Sequence, residues 1–213
     1  MKKRILGSAL LLVAGLVLVF QEPLRDAFDD WKTRDMFVPA VAADPGLGPA
    51  TGQRLPALQA SLQGEPVTNI GEFARGNGAV LVVLRSIDWC AYCKRQIIQL
   101  QAYQNNFHAA GIGLVAITYD APQAQQPFIE QHGITIPVLS DVDQGSFRAL
   151  GVLNERHQPG DSEYGIPHPG MIILDRSGAI VGKLFVPSHE LRVDSSEALR
   201  YARAALGLKA PLG

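Results

Sequence analysis

Two cysteines, three methionines and two tryptophans are all that this 213-residue chain carries of those types, and aromatic residues make up only 7% of it. With so few cysteines no disulfide framework can hold the fold. A four-thiolate zinc site lacks its second cysteine pair. Charge excess is missing as well: 19 Lys and Arg against 20 Asp and Glu leave a formal net charge of −1. That removes the electrostatic footprint of a nucleic-acid binder or of a broad anionic partner. Internal repeats and long low-complexity tracts are absent, and a long apolar run occurs only at the N-terminus. Apolar residues are plentiful at 47%, enough for a packed core.

The N-terminal run has a recognisable design. Lys2-Lys3-Arg4 precedes an apolar stretch from Ile5 to Phe20, interrupted only by Gly7, Ser8 and Gly15. This is a basic region followed by a hydrophobic one. A spanning helix needs roughly 17–25 apolar residues, so the run is at the short edge. No small-residue cleavage site closes it, because Gln21-Glu22-Pro23 follows, and Ala40-Val41-Ala42 lies too far on. An uncleaved anchor is favoured over a cleaved signal peptide, and both export the rest of the chain. The basic cluster stays in the cytoplasm by the positive-inside tendency. The expected location is the inner membrane, single-pass, with residues 21–213 periplasmic or otherwise extracytoplasmic, where disulfides persist.

Both cysteines fall in one hexapeptide, Trp89-Cys90-Ala91-Tyr92-Cys93-Lys94. A bridge across so short a loop removes little chain entropy, so an inert structural disulfide is the weaker reading. The spacing suits a dithiol that opens and closes. Ala79–Leu84 before it is a continuous apolar run and predicts a strand buried on both faces. Tyr92 to about Ala110 after it has Ile97, Leu100, Tyr103 and Phe107 at helical steps. Cys90 therefore sits at a helix N-terminus, where the dipole and free N–H groups favour a thiolate. Lys94 and Arg95 add positive charge nearby.

The remaining pattern predicts three segments: an anchor over 1–20, a spacer over 21–54 and a compact domain over 55–213. The spacer includes a short amphipathic helix from Glu22 to Trp31. In the domain, strands flank the turn Gln63-Gly64-Glu65-Pro66, and a strand is expected over Ile112–Thr118 and a helix over Gln123–His132. A short strand at Pro137–Ser140 and a helical turn at Ser146–Leu150 follow. Strands at Met171–Leu174 and Ile180–Val186 enclose Asp175-Arg176-Ser177-Gly178, and Ser188 is read as the cap of a last helix running to about Leu206. Alternating strands and helices imply an α/β fold with a central mixed sheet covered on both faces. The dithiol falls at the carboxyl end of the first central strand, where such sheets place their sites.

The Trp-Cys-x-x-Cys site, Ile166-Pro167-His168-Pro169-Gly170 and Ile172-Ile173-Leu174-Asp175-Arg176-Ser177-Gly178 together resemble the thioredoxin fold, and more closely its redoxin branch of AhpC/TSA and peroxiredoxin-like proteins. The resemblance covers roughly Leu55 to Leu206. It implies that Cys90 is the nucleophile, that Cys93 resolves, and that the two cycle through a Cys90–Cys93 disulfide. It also implies that Pro169 is a cis-proline facing them. Trp89 would cover the site, with Asp88, Lys94 and His168 shaping it. Two departures stand out. The buried acid that thioredoxins carry six positions before the first cysteine is Leu84 here, so Asp88, His168 or water would handle the proton at Cys93. The peroxiredoxin Pro, Thr or Ser, and Cys spacing fits neither cysteine, and that family's arginine aligns with Pro169.

The leading expectation is thus a membrane-anchored thiol–disulfide oxidoreductase, without cofactor or metal, acting on exported protein disulfides or with a redox partner protein. A peroxiredoxin-like thiol peroxidase using Cys90, with Cys93 resolving and a peroxide as substrate, is the alternative. A further alternative is a copper-binding chaperone using Cys90, Cys93 and His168.

Overall fold

A computed structural model of the chain describes residues 24–25, 27–40, 46–161, 164–186 and 188–209. The apolar run over 5–20, and with it the expected anchor, lies outside the described residues. Among the described residues no helix is long and apolar enough to cross a membrane. The chain divides into two units, one before Met36 and one from Met36 onward. In the first, residues 24–25 and 27–33 are helical, within and just past the helix expected from Glu22 to Trp31. The rings of Phe28 and Trp31 lie 5.9 Å apart there, and the Arg34 guanidinium stands 5.7 Å from the Trp31 ring.

The second unit opens with a strand the sequence reading assigned to the spacer, β1 (Phe37–Val38). A hairpin of β2 (Ala60–Leu62) and β3 (Glu65–Val67) follows. Its turn is only two residues, Gln63-Gly64, both at positive φ, which matches the twist of the flanking strands. Then come β4 (Gly78–Val83), α1 (Ala91–Ala109), β5 (Ile112–Thr118) and α2 (Pro122–His132). Gly133 ends α2 in the left-handed conformation, which glycine adopts without steric cost. The chain continues through β6 (Val138–Ser140), α3 (Gly145–Ala149), β7 (Gly170–Asp175), β8 (Ile180–Phe185), β9 (Arg192–Val193) and α4 (Ser195–Ala205).

The sheet is mixed. Strands β3-β2-β6-β5 are neighbours in that order, and so are β4-β7-β8. Strands β5 and β6 run parallel, while β4 pairs antiparallel with β7 from Gly78↔Asp175 to Val83↔Gly170. Just past β4, the Leu84 N–H donates to the Ile117 carbonyl of β5. Strand β4 and the residue after it alternate between two cores: Val80, Val82 and Leu84 join one, Ala79, Leu81 and Val83 the other. This is the thioredoxin-like α/β arrangement.

The C-terminal segment departs from expectation. Ser188 opens a turn, and Arg192–Val193 forms a strand parallel to β1, with Phe37↔Arg192 and Val38↔Val193 in register. The last helix starts only at Ser195, capped by the Asp194 carboxylate, which accepts from the Ser196 N–H at 2.8 Å. Asp194 is the better cap because its carboxylate satisfies a free N–H of the first turn. The compact unit also begins earlier than Leu55: Met36 is buried in the same core as Val193 and both cysteines.

Candidate active site

Strand β4 ends at Val83, and the next residues form a tight loop that delivers Cys90 to the helix start. Ser86, fully buried, organises that loop: its hydroxyl oxygen accepts from the N–H groups of Asp88 at 3.0 Å and Trp89 at 3.1 Å. Asp120, at the end of β5, holds it from the other side by accepting from the Ile87 N–H at 2.8 Å. Burial raises the Asp120 pKa, with the Ile87 N–H and the Ser86 and Thr118 hydroxyls pulling the other way. Asp120 is thus a buried acid behind the redox loop. The sequence reading missed it, because it is separated from the cysteines by all of α1.

Cys90 is the N-cap residue of α1 and Cys93 lies in its first turn. Both are free thiols, so the pair is in its dithiol form. Cys90 retains 3% of its surface and Cys93 none. A hydrogen bond links the two thiols. A hydrogen bond to Cys93, burial and the Cys93 charge push the Cys90 pKa far up. Burial works against ionisation at Cys93 too. It is outweighed by the Cys90 S–H, the Arg192 guanidinium and the Ser86 backbone, so the Cys93 pKa falls well below the ordinary thiol range.

Arg192 is the group that sequence reasoning missed. Its Nη2 donates to Cys93 Sγ at 3.1 Å, and its Nη1 donates to the carbonyls of His189 and Leu191, each at 2.7 Å. The side chain is 1% exposed. The Arg85 backbone N–H approaches the same sulfur at 3.4 Å. A buried charge requires a partner or hydrogen bonds, and Cys93 supplies the one that two carbonyls cannot. The signal available in the sequence was a lone arginine inside a stretch read as helix, which resembles any surface arginine.

The other expected residues separate into neighbours and outsiders. Trp89 is 40% exposed and borders Cys90; its indole N–H donates to the Tyr119 hydroxyl at 2.8 Å, and the Arg85 guanidinium stands 5.0 Å from its ring. Asp88 is exposed beside it. Lys94 instead points its ammonium at the Phe128 ring, 5.8 Å away, which takes it off the thiols. No cis peptide occurs among the described residues, so the bond before Pro169 is trans, the isomer an X–Pro bond prefers by about 0.5–1 kcal/mol. Pro169 is nevertheless buried, and it directly precedes Gly170, the residue paired with Val83 at the loop end of β4. His168 faces elsewhere: it lines a surface cavity with Arg148, Asn154 and Arg156, and its N–H donates to the Val152 carbonyl. Among the described residues no set of three His, Cys, Asp or Glu side chains is placed to hold a metal. The copper reading on Cys90, Cys93 and His168 therefore fails on geometry.

Comparison with known proteins gives the same picture of the fold. Residues 51–183 match the model of the AhpC/TSA family. A protein of Mycobacterium tuberculosis (strain CDC 1551 / Oshkosh), described as a candidate peroxiredoxin, is 29% identical over 89 residues. That match covers 42% of this chain and 56% of the relative, so the chain spans little over half of the relative's length. Among solved structures, the peroxidoxin BcpB of Mycobacterium tuberculosis superposes with a TM-score of 0.60 at 16% identity, covering 75% of this chain and 98% of that one. A peroxiredoxin-like protein from Aquifex aeolicus gives 0.62 at 18% identity, over 79% and 92%. Peroxiredoxin Q of Xanthomonas campestris gives 0.57 at 22% identity, over 70% and 91%.

Proposed function

The chain belongs to the AhpC/TSA family, and on that premise we propose that it is a thiol redox enzyme that cycles between a Cys90–Cys93 dithiol and disulfide. One observation carries the reading. The chain's two cysteines stand together at the start of α1, with a buried guanidinium on the inner sulfur. Cys90 alone borders the surface, so exchange with a partner begins there. Cys90 passes its proton to Cys93 and attacks one sulfur of a partner disulfide, and the partner's other sulfur leaves as a thiolate. The proton then returns to solvent or to that thiolate, and Cys93 attacks Cys90 Sγ, releasing the partner as its dithiol. The Arg192 guanidinium on Cys93 favours this second step, because it stabilises the thiolate form in which the resolving sulfur attacks.

The test is reduction of insulin or glutathione disulfide by the reduced protein. Activity is expected in the wild type and is lost in Cys90→Ser, while Cys93→Ser accumulates a mixed disulfide at Cys90. A wild type as inactive as Cys90→Ser overturns the reading.

A hydroperoxide is the second substrate class, favoured by membership of the AhpC/TSA family. Cys90 would pass its proton to Cys93 and take the distal oxygen to become a sulfenic acid, with Cys93 protonating the departing alkoxide. Cys93 would then attack Cys90 Sγ and expel hydroxide. Stopped-flow oxidation by hydrogen peroxide no faster than that of a free thiol eliminates it.

Residues 5–20 are proposed as the membrane anchor, with the N-terminus cytoplasmic and the redox domain outside the inner membrane, where exported proteins with disulfides or a redox partner protein would meet it. Support comes from the sequence: Lys2-Lys3-Arg4 ahead of the apolar run. Protease added to spheroplasts should digest the domain, and protection of the domain would refute the topology.

A further inference from the structure

The turn and strand that carry Arg192 are tied to α1 at several points along one side of that helix. The Tyr92 hydroxyl bonds to the Glu190 carboxylate. Arg192 donates to Cys93, one residue further along the helix. Two turns on, the Gln99 amide donates to Asp194 at 2.7 Å, and its carbonyl accepts from the Ser195 N–H and hydroxyl. On its other edge the strand is held by β1. The Arg192 N–H donates to the Met36 carbonyl and the Asp194 N–H to the Val38 carbonyl, each at 2.9 Å. Met36 is 2% exposed and packs in the core with Val193. The Ala40 N–H reaches the Glu197 carboxylate at 3.3 Å. A two-residue strand has little stability alone, so the position of β9 depends on both neighbours. The segment that opens the second unit is therefore part of the support for a guanidinium that touches a reacting sulfur.

We propose that Arg192 is a catalytic residue of the dithiol centre and that the strap Met36–Val38 is the element that positions it. The strap holds β9 in register, β9 aims the guanidinium at Cys93, and the guanidinium keeps negative charge on that sulfur. Displacing the strap would let Arg192 withdraw, and Cys93 would become an ordinary buried thiol. The groups facing Cys93 are Cys90 on its own helix, the Arg85 and Ser86 backbone from the loop, and Arg192 from β9, with Tyr92 and Glu190 alongside. Arg192 is the only cation among these side chains.

The inference rests on the redox reading for the role of the centre, but its test needs no substrate, so the two can fail separately. Thiolate ultraviolet absorbance is titrated in the reduced full chain carrying Cys90→Ser, which leaves Cys93 alone. A midpoint below the ordinary thiol range is expected. Adding Arg192→Met should raise it by about one unit or more, and Arg192→Lys should restore part of the shift. Val38→Pro, which takes an N–H from the strap, should shift it in the same direction as Arg192→Met, whereas Val38→Ala should not. Circular dichroism checks that each variant is folded. A midpoint in Cys90→Ser that Arg192→Met leaves unmoved overturns the role of Arg192. A folded Val38→Pro that titrates like the parent overturns the role of the strap. If Val38→Pro does not fold, the same comparison is read from Met36→Ala, which thins the strap's packing and keeps its backbone bonds.

Discussion

On its inner side the dithiol meets Arg192, 1% exposed and held by two carbonyls; on its outer side it meets Trp89, 40% exposed and held by Tyr119 and Arg85. The inner region is assembled from distant parts of the chain: the first turn of α1, the strand before α4 and the strap at residues 36–38. The outer region is local, built from residues 85–90 and the end of β5. The inner side sets charge, because a guanidinium and a sulfur are enclosed where water cannot screen them. The outer side offers aromatic surface, which suits contact with another molecule more than it suits ionisation.

The contrast predicts unequal costs of damage. The largest should follow Cys93→Ala, which leaves the Arg192 charge buried against two carbonyls alone. Removing one member of a buried pair costs about 3–5 kcal/mol, readable as a lower urea midpoint for the reduced protein. A loss no larger than that of Trp89→Ala would erase the distinction between the regions.

Next in size is a pH effect. The folded-state pKa of Cys93 lies below its ordinary value of 9.0. Its contribution to stability is therefore fully present above the ordinary value and is lost as pH falls through the folded one. Cys90 is shifted the opposite way, and its contribution is present below the ordinary value and lost as pH rises above it. The melting temperature of the reduced protein should rise as pH increases from the folded pKa of Cys93 toward 9, and Cys93→Ser should remove that part of the rise. A flat profile in the wild type would mean that the inner side does not hold charge.

Asp194 tests the scaffold of the inner side. It caps α4 and bonds to Gln99, and although burial opposes ionisation, its bonds with Ser196 and Gln99 hold its pKa below the usual carboxylate range. Asp194→Ala should cost about 1 kcal/mol, as loss of a helix cap does. That contribution should fade as pH falls through the folded pKa, below the ordinary value of 3.8. The same loss at every pH would assign the effect to packing instead of the carboxylate.

The smallest stability effect is expected at Trp89. Trp89→Ala should change stability by no more than about 0.5 kcal/mol, as exposed substitutions do, while slowing exchange with a protein disulfide more than with glutathione disulfide. Equal slowing for both would mean that the ring tunes the sulfur and does not contact the partner.

Most of the fold was legible because its signals are local. The runs Ala79–Leu84 and Ile112–Thr118 are apolar throughout, as strands buried on both faces must be, and the helix after Cys90 shows its period in Ile97, Leu100 and Phe107. The last helix was misplaced because Ser188 and Asp194 are both acceptable caps. Two polar residues before a helical stretch do not reveal which of them meets a free N–H. The strap was read as spacer because Pro39, Pro45 and Gly46 follow it, and a two-residue strand leaves no period to detect. Lys94 looked like a thiol neighbour by position alone, yet the helix turns it toward Phe128.

By itself the sequence determined the dithiol: two cysteines one helical turn apart, behind a buried strand and at a helix N-terminus, are brought together by local geometry whatever the rest of the chain does. Which of the two sulfurs carries the charge was decided only by the tertiary structure. That choice depends on a guanidinium 99 positions away in sequence and 3.1 Å away in space. Coulomb attraction depends on distance and burial, and a linear sequence records neither.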